Sequence, residues 1–475
     1  MPDRPEFDLI VSQNPYLSAE DDAVHAALVV KSRTPAPAGG LPGVAQVIAI
    51  DCSGSMSYPV TKIGAARQGT KAAIDALRDG ALFAVIAGTE KARQVYPAHG
   101  LAEAGPATRK AAKAAVKNLS ASGGTAIGRW LTAAGRLLRD HPTAVRHVIL
   151  LTDGENGEHE GELDRVLAEF RSEFTCDARG IGTDWRPTEL LRIAEALHGT
   201  ADAIRRPDDL AEDFTAMTRA AMAKFVPDLR ILVRTAAGAR LDFLRQTHPA
   251  EADLPGVALD ERTTAFTTGS WGVESREYHL RLTVEATGRP RGTDIRVARV
   301  DLETTSPEHA GHARAGEPKA VVVHYTDEVE LSSRVDPRIG HYTGQAELSR
   351  AVLDGDAAYR RGDAAGAAAW GRAVALATRL ENAEVLSRLL RLVEVVGPAE
   401  GGNVRLKDGL AAVDLLLVAV GSTLSSASPD GSSVLDALSP AEDVPGGPDV
   451  RCGSCGREWP AGSTFCGGCG NPVVA

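Results

Sequence analysis

The chain is poor in the residues that staple, anchor or cut. Six cysteines in 475 residues cannot replace a core with disulfides. Four of the six crowd the C-terminal end, which fits metal binding better than cross-linking. No apolar run approaches the roughly 20 residues of a membrane helix. The longest candidate, Val413-Asp414-Leu415-Leu416-Leu417-Val418-Ala419-Val420, is too short and carries an acid. Positive charge is not in excess. The net charge of −11 argues against nucleic acid or an anionic membrane as the main partner. The start, Met1-Pro2-Asp3-Arg4-Pro5-Glu6-Phe7-Asp8, has neither a basic region nor an apolar core, so a signal peptide is not expected. A cytoplasmic protein of the reducing compartment is. Gly-x-x-x-x-Gly-Lys-Ser/Thr and His-Glu-x-x-His are both missing, which speaks against the commonest phosphate-cleaving and zinc-protease machinery. Aromatics make up only 4%, while hydrophobic content is an ordinary 43%. A chain of this length has room for two to four domains.

What is present begins at Ala45-Gln46-Val47-Ile48-Ala49-Ile50-Asp51-Cys52-Ser53-Gly54-Ser55-Met56. An apolar run ending in an acid and two hydroxyls reads as a buried strand that delivers hard oxygen ligands to a sheet edge. Such oxygens suit Mg²⁺, which keeps some waters and leaves room for an outside ligand. Thr125 lies in the loop Ser122-Gly123-Gly124-Thr125, and Asp153 ends a second apolar run, Val148-Ile149-Leu150-Leu151-Thr152-Asp153. Around these motifs strand and helix alternate from 44 to 224. Strands are expected at Val44–Ile50, Ala81–Ala87, Arg93–Tyr96, Arg146–Leu151 and Phe174–Gly180, with amphipathic helices between them. That order predicts a mostly parallel sheet with helices on both faces, its ligands at the carboxyl ends of the strands.

These residues resemble the metal-ion-dependent adhesion site of a von Willebrand factor A (VWA) domain. The resemblance implies Ser53, Ser55 and Thr125 as direct ligands, with Asp51 and Asp153 supporting them. A metal held mainly by neutral hydroxyls stays electrophilic, with one position free for an Asp or Glu of a partner protein. Glu155, Glu158, Glu160 and Glu162 flank the site and read as favourable charges at a helix N-terminus. Cys52 and Cys176 read as buried structural thiols.

From 225 to 335 the pattern switches to strand period with Gly, Pro and Thr-rich turns, a β-sandwich signature. Two N-terminal strands within 7–33 are expected to join it, so that the α/β unit is an insertion. Residues 340–420 are rich in Ala and Leu at helical period, with helices expected at Gln345–Arg361, Ala364–Leu380, Ala383–Val396 and Leu406–Val420. A Ser/Pro/Gly/Asp linker follows. Last come Cys452-Gly453-Ser454-Cys455 and Cys466-Gly467-Gly468-Cys469, two knuckles suited to a structural tetrahedral Zn²⁺. The expected architecture is thus α/β. A Rossmann-like VWA domain (41–224) is inserted in a β-sandwich (1–40 and 225–338). A small helical bundle (339–421), a linker (422–449) and a zinc ribbon (450–475) follow.

Several segments also resemble the bacterial tellurium-resistance type of VWA protein. They are Val11-Ser12-Gln13-Asn14-Pro15-Tyr16-Leu17, Asp51 to Met56, Cys176 to Trp185, Gly269 to His279, and Tyr342 through Leu380. This resemblance implies a non-enzymatic scaffold in cytoplasmic stress or phosphorylation signalling, beside a Ser/Thr kinase and a protein phosphatase. Two other classes share the same residues, a metal-dependent phosphohydrolase and an adaptor subunit of an AAA+ ATPase or chelatase-type complex.

Overall fold

The computed structural model describes residues 6–18, 20–32, 43–159, 161–285, 291–306, 309–363, 365–428, 450–451 and 458–459. The chain divides into two compact units, Met1–Pro429 and Asp430–Ala475. In the second, Val450–Arg451 pairs antiparallel with Glu458–Trp459. Cys452, Cys455, Cys466 and Cys469, predicted to hold zinc, lie outside the described residues.

In the first unit, the strand Val44–Asp51 is buried along its whole length. It runs parallel to Leu82–Gly88 on one side and Val145–Gly154 on the other. Thr175–Asp184 and Ala201–Ile204 extend the parallel sheet, and Ala92–Tyr96 closes the opposite end antiparallel. A central parallel strand must be apolar on both faces because helices cover both. Alternation assigns the residues: Ala45, Val47 and Ala49 pack with Trp130, Leu131 and Leu150. Val44, Ile48 and Ile50 pack with Ile63, Ile74 and Phe214. The mixed α/β architecture expected from the sequence is therefore present.

The few large aromatics are seated on glycines. A Cβ on Gly88 would come within 2.3 Å of the Trp130 ring, one on Gly180 within 2.2 Å of Trp185, and one on Gly355 within 2.3 Å of Trp370. The bare backbone is what admits each ring, so the space left by glycine is filled by tryptophan.

Two largely antiparallel sheets share a separate core. One has the order Phe7–Ser12, Ala23–Ser32, Ser275–Val284, Ala239–His248, Ala252–Leu254. The other is built on Leu229–Thr235, Asp294–Ser306 and Lys319–Tyr325. Leu28, Tyr278 and Leu280 from the first meet Ile231, Val300 and Val321 from the second. Trp271 links this region to the end of the α/β unit. Its carbonyl accepts from Phe225 N and Val226 N at 2.8 and 3.0 Å, its indole donates to Thr268 Oγ1 at 2.8 Å, and Arg276 stacks on the ring.

Helices Pro337–Arg360, Ala365–Arg379, Ala383–Leu392 and Ala412–Val420 complete the unit. Asp336 caps the first of them through Arg338 N and Ile339 N, with Pro337 at the opening position. Two expected helices are shorter than the periodicity implied. The third stops at Leu392, and Val393–Val395 pairs instead with Val404–Leu406. The β-branched Val393, Val395 and Val396 favour an extended chain, and Gly397 and Gly402, at φ +89° and +65°, supply the turn.

Candidate metal site

The site forms where the parallel strands end. Asp51 pairs in register with Gly88, and Ile50 with Leu151. Asp51 and the residues that follow Leu151 therefore emerge at one sheet edge. Backbone bonds then stitch the loops together. Cys52 N donates to Gly88 O at 2.7 Å, Ser122 N to Cys52 O at 2.7 Å, and Gly54 N to Gly123 O at 2.8 Å. Gly123 holds a positive φ of +85°, and a Cβ there would strike the Glu90 carboxylate, which accepts from Gly124 N at 3.0 Å. These contacts fix the loop that carries Thr125.

Four of the five predicted side chains form one hydrogen-bonded cluster. Asp51 is fully buried. Its Oδ1 accepts from Ser53 N at 2.7 Å, and its Oδ2 from Thr152 Oγ1 at 2.8 Å and Asp153 N at 3.3 Å. Ser55 Oγ donates to Asp153 Oδ1 at 2.6 Å, and Ser53 Oγ to the same oxygen at 3.4 Å. The two serine oxygens stand 2.9 Å apart. Thr125 faces the same space. Its Oγ1 and Ser55 Oγ each lie 3.5 Å from the point a Cβ on Gly154 would occupy. Gly154 thus borders the space that these two hydroxyls share.

This donor set fits a small hard cation. Adjacent ligands of an octahedral Mg²⁺ at about 2.05 Å are about 2.9 Å apart, whereas Ca²⁺ needs wider spacing. The serine pair, hydrogen-bonded at 2.9 Å, is compatible with the smaller separation. Ser53, Ser55 and Thr125 would hold the ion, and Asp51 and Asp153 would orient the hydroxyls and supply negative charge. Among the described residues, no group of three or more His, Cys, Asp and Glu side chains is placed to hold a metal. Burial pushes the Asp51 carboxyl above the usual carboxylate range, against the hydrogen bonds from Ser53 and Thr152 that stabilise its charge. Burial and the neighbouring Asp51 push the Cys52 thiol up to about 12.

The flanking acids have separate tasks. Glu158 caps the helix Ile127–Arg139 by accepting from Gly128 N and Arg129 N at 2.7 and 3.1 Å. The charge does serve a helix N-terminus, but of the helix that follows Thr125. Glu155 pairs with Arg186 at 2.7 Å, Glu162 opens the helix Glu162–Phe170, and Glu160 lies outside the described residues.

Sequence reasoning missed Lys62. This lysine is 5% exposed. Its Nζ donates to Asp153 Oδ2 at 2.8 Å and lies 3.5 Å from Asp184 Oδ2. The available signal was its place in the buried stripe Lys62, Ala66, Thr70 and Ala73 of the helix Thr61–Ala76. A lysine on a core stripe is rarely there without a partner. No helix among the described residues is long and apolar enough to cross a membrane.

Residues 45–203 match the family model of the von Willebrand factor type A domain. A solved structure described as von Willebrand factor type A from Catenulispora acidiphila is 39% identical and superposes with a TM-score of 0.82. It covers 90% of this chain, and the match spans 98% of that one. The ArnB paralog VWA2 from Sulfolobus acidocaldarius shares the fold at 14% identity, with a TM-score of 0.57 over 89% of this chain and 99% of its own. An uncharacterized protein of Synechocystis is 29% identical over 216 residues, 44% of this chain and 49% of that protein. The chain thus spans about half the length of that curated relative. With 39% identity across nearly the whole of the Catenulispora structure, this chain belongs to the von Willebrand factor type A family.

Proposed function

We propose that this protein is a non-enzymatic scaffold that grips a partner's Asp or Glu through Mg²⁺ held by Ser53, Ser55 and Thr125. The observation that carries the reading is the convergence of Ser53 Oγ and Ser55 Oγ on Asp153 Oδ1, beside Thr125. Neutral hydroxyls leave a bound cation its charge, and a carboxylate from outside is the ligand that best satisfies it. Among the described residues, Asp51 and Asp153 are both engaged in hydrogen bonds rather than free as bases, which favours holding over cutting.

The wider reading rests on sequence pattern for the architecture and on resemblance for the signalling role. It places the VWA domain as an insertion in a β-sandwich, followed by a helical bundle and a ribbon whose Cys452, Cys455, Cys466 and Cys469 bind structural Zn²⁺. It also makes the protein a cytoplasmic component of tellurium-resistance-type stress or phosphorylation signalling, with a Ser/Thr kinase and a protein phosphatase as partners. The test is a tagged pull-down in Mg²⁺ and again in EDTA, comparing wild type with Asp51→Ala. Partners retained only by wild type in Mg²⁺ are the expected result. An identical bound set under every condition removes the metal from recognition. Co-purification of an AAA+ ATPase would select the adaptor class instead.

A further inference from the structure

Lys62 stands where a lysine is least expected. It lies in the first turn of the helix Thr61–Ala76, where the helix dipole disfavours a cation. It is also buried, which is costly for an ammonium unless the charge is paired. The surrounding fold is shaped to keep it there. Gly182 is at φ +81°, and a Cβ on it would lie 2.7 Å from Lys62 Cε and 2.9 Å from Nζ. A slot free of side chain therefore leads the ammonium to Asp153. That acid is shared between two tasks, Oδ1 facing the serine hydroxyls and Oδ2 facing Lys62.

We infer that Lys62 is a resident cation that makes metal retention depend on the partner's carboxylate. The inference rests on the metal-dependent reading above and adds a specificity-setting residue to it. An ammonium has no lone pair and cannot ligate the ion. Its effect on the ion is electrostatic: through its ion pair with Asp153 it offsets one of the two buried acids, Asp51 and Asp153. A divalent cation then enters a site that the protein has only half neutralised, and the complex retains net positive charge. A carboxylate from outside removes that excess. Metal and carboxylate therefore bind with positive coupling, and the coupling is reciprocal. Asp184, more than two-thirds exposed, offsets Lys62 from the solvent side but is screened.

The test is calorimetric titration of Mg²⁺ alone into wild type, Lys62→Met and Asp184→Asn at low salt, each with and without excess acetate as the carboxylate probe. Lys62→Met, of similar length without the charge, is expected to bind Mg²⁺ about tenfold more tightly than wild type in the absence of acetate. Acetate is expected to tighten Mg²⁺ binding by wild type several-fold and to leave Lys62→Met nearly unchanged. A lysine that served only to brace the loop would not create that difference in acetate response. Equal Mg²⁺ affinity in wild type and Lys62→Met, or an equal acetate effect in both, overturns the inference. Where circular dichroism shows Lys62→Met unfolded, the exposed Asp184→Asn decides. Weaker Mg²⁺ binding, by about two- to threefold, supports the inference, and unchanged or tighter binding overturns it. A wild type that takes up no Mg²⁺ with or without acetate fails the metal-dependent reading itself and this inference with it.

Discussion

Asp51 and Asp153 are both buried at the ends of neighbouring parallel strands, yet they work differently. Asp51 spends its oxygens on Ser53 N, Thr152 Oγ1 and Asp153 N, so it shapes the loops. Asp153 meets the hydroxyls and Lys62. Asp51, Ser53 and Ser55 could be read from the sequence because one short loop carries all three, and Thr125 and Asp153 because each follows its own local pattern. Lys62, Gly182 and Asp184 could not. They are brought together only by the packing of a helix against a strand 120 residues further along the chain. Cys52 illustrates what burial does at this scale. Its thiol, raised to about 12, and that of Cys176, raised by complete burial, are poor nucleophiles. Mass spectrometry after iodoacetamide treatment of the native protein is expected to find neither modified, and to find both modified after denaturation in guanidinium.

At the scale of elements, the strands Ala23–Ser32 and Ser275–Val284 are tied by side chains as well as by their ladder. His25 Nδ1 and His279 Nε2 stand 2.9 Å apart, with Phe243 and Tyr342 beside the second ring. Burial, then the charges of His25, Arg245 and Arg281, lower His279 to about 3. Burial and Arg281 lower His25, against Asp242. An unfolded histidine takes up its proton near pH 6.5, so over this window the unfolded chain binds more protons than the native one. The pair therefore contributes stability above about pH 6.5 that is lost as pH falls toward 3. His279→Gln is expected to show a smaller drop in melting temperature between about pH 7 and about pH 4 than wild type. An equal drop would assign the acid sensitivity elsewhere. The elements that escaped sequence reading share a cause with this pair. Ala201–Ile204 is four residues long and Val393–Val395 only three. So short a segment shows no period, and only its pairing partner makes it a strand.

Across the whole molecule, the α/β core is closed by a distant part of the chain. Leu416, Leu417 and Val420 of the helix Ala412–Val420 belong to the same core as Trp130 and Leu150, while Val418 of that helix packs with Trp370. Arg388 reaches Asp202 at 2.8 Å, and Arg205 reaches Asp414 at 3.3 Å, so charge pairs border the same seam. Periodicity marked the helix but not its destination, since an apolar stripe does not name the surface it will cover. Leu417→Ala is expected to cost about 2–4 kcal/mol in urea unfolding. A loss much below about 1 kcal/mol would mean that the helix merely rests on the sheet. The seam also sets an order of events during synthesis. A chain is made from its N-terminus, and its domains generally fold as units as they emerge. Every side chain proposed to hold Mg²⁺ is translated long before Leu416, yet the sheet that carries them keeps an apolar wound until that helix arrives. The nascent α/β unit therefore lacks part of its apolar cover until the helix Ala412–Val420 has emerged.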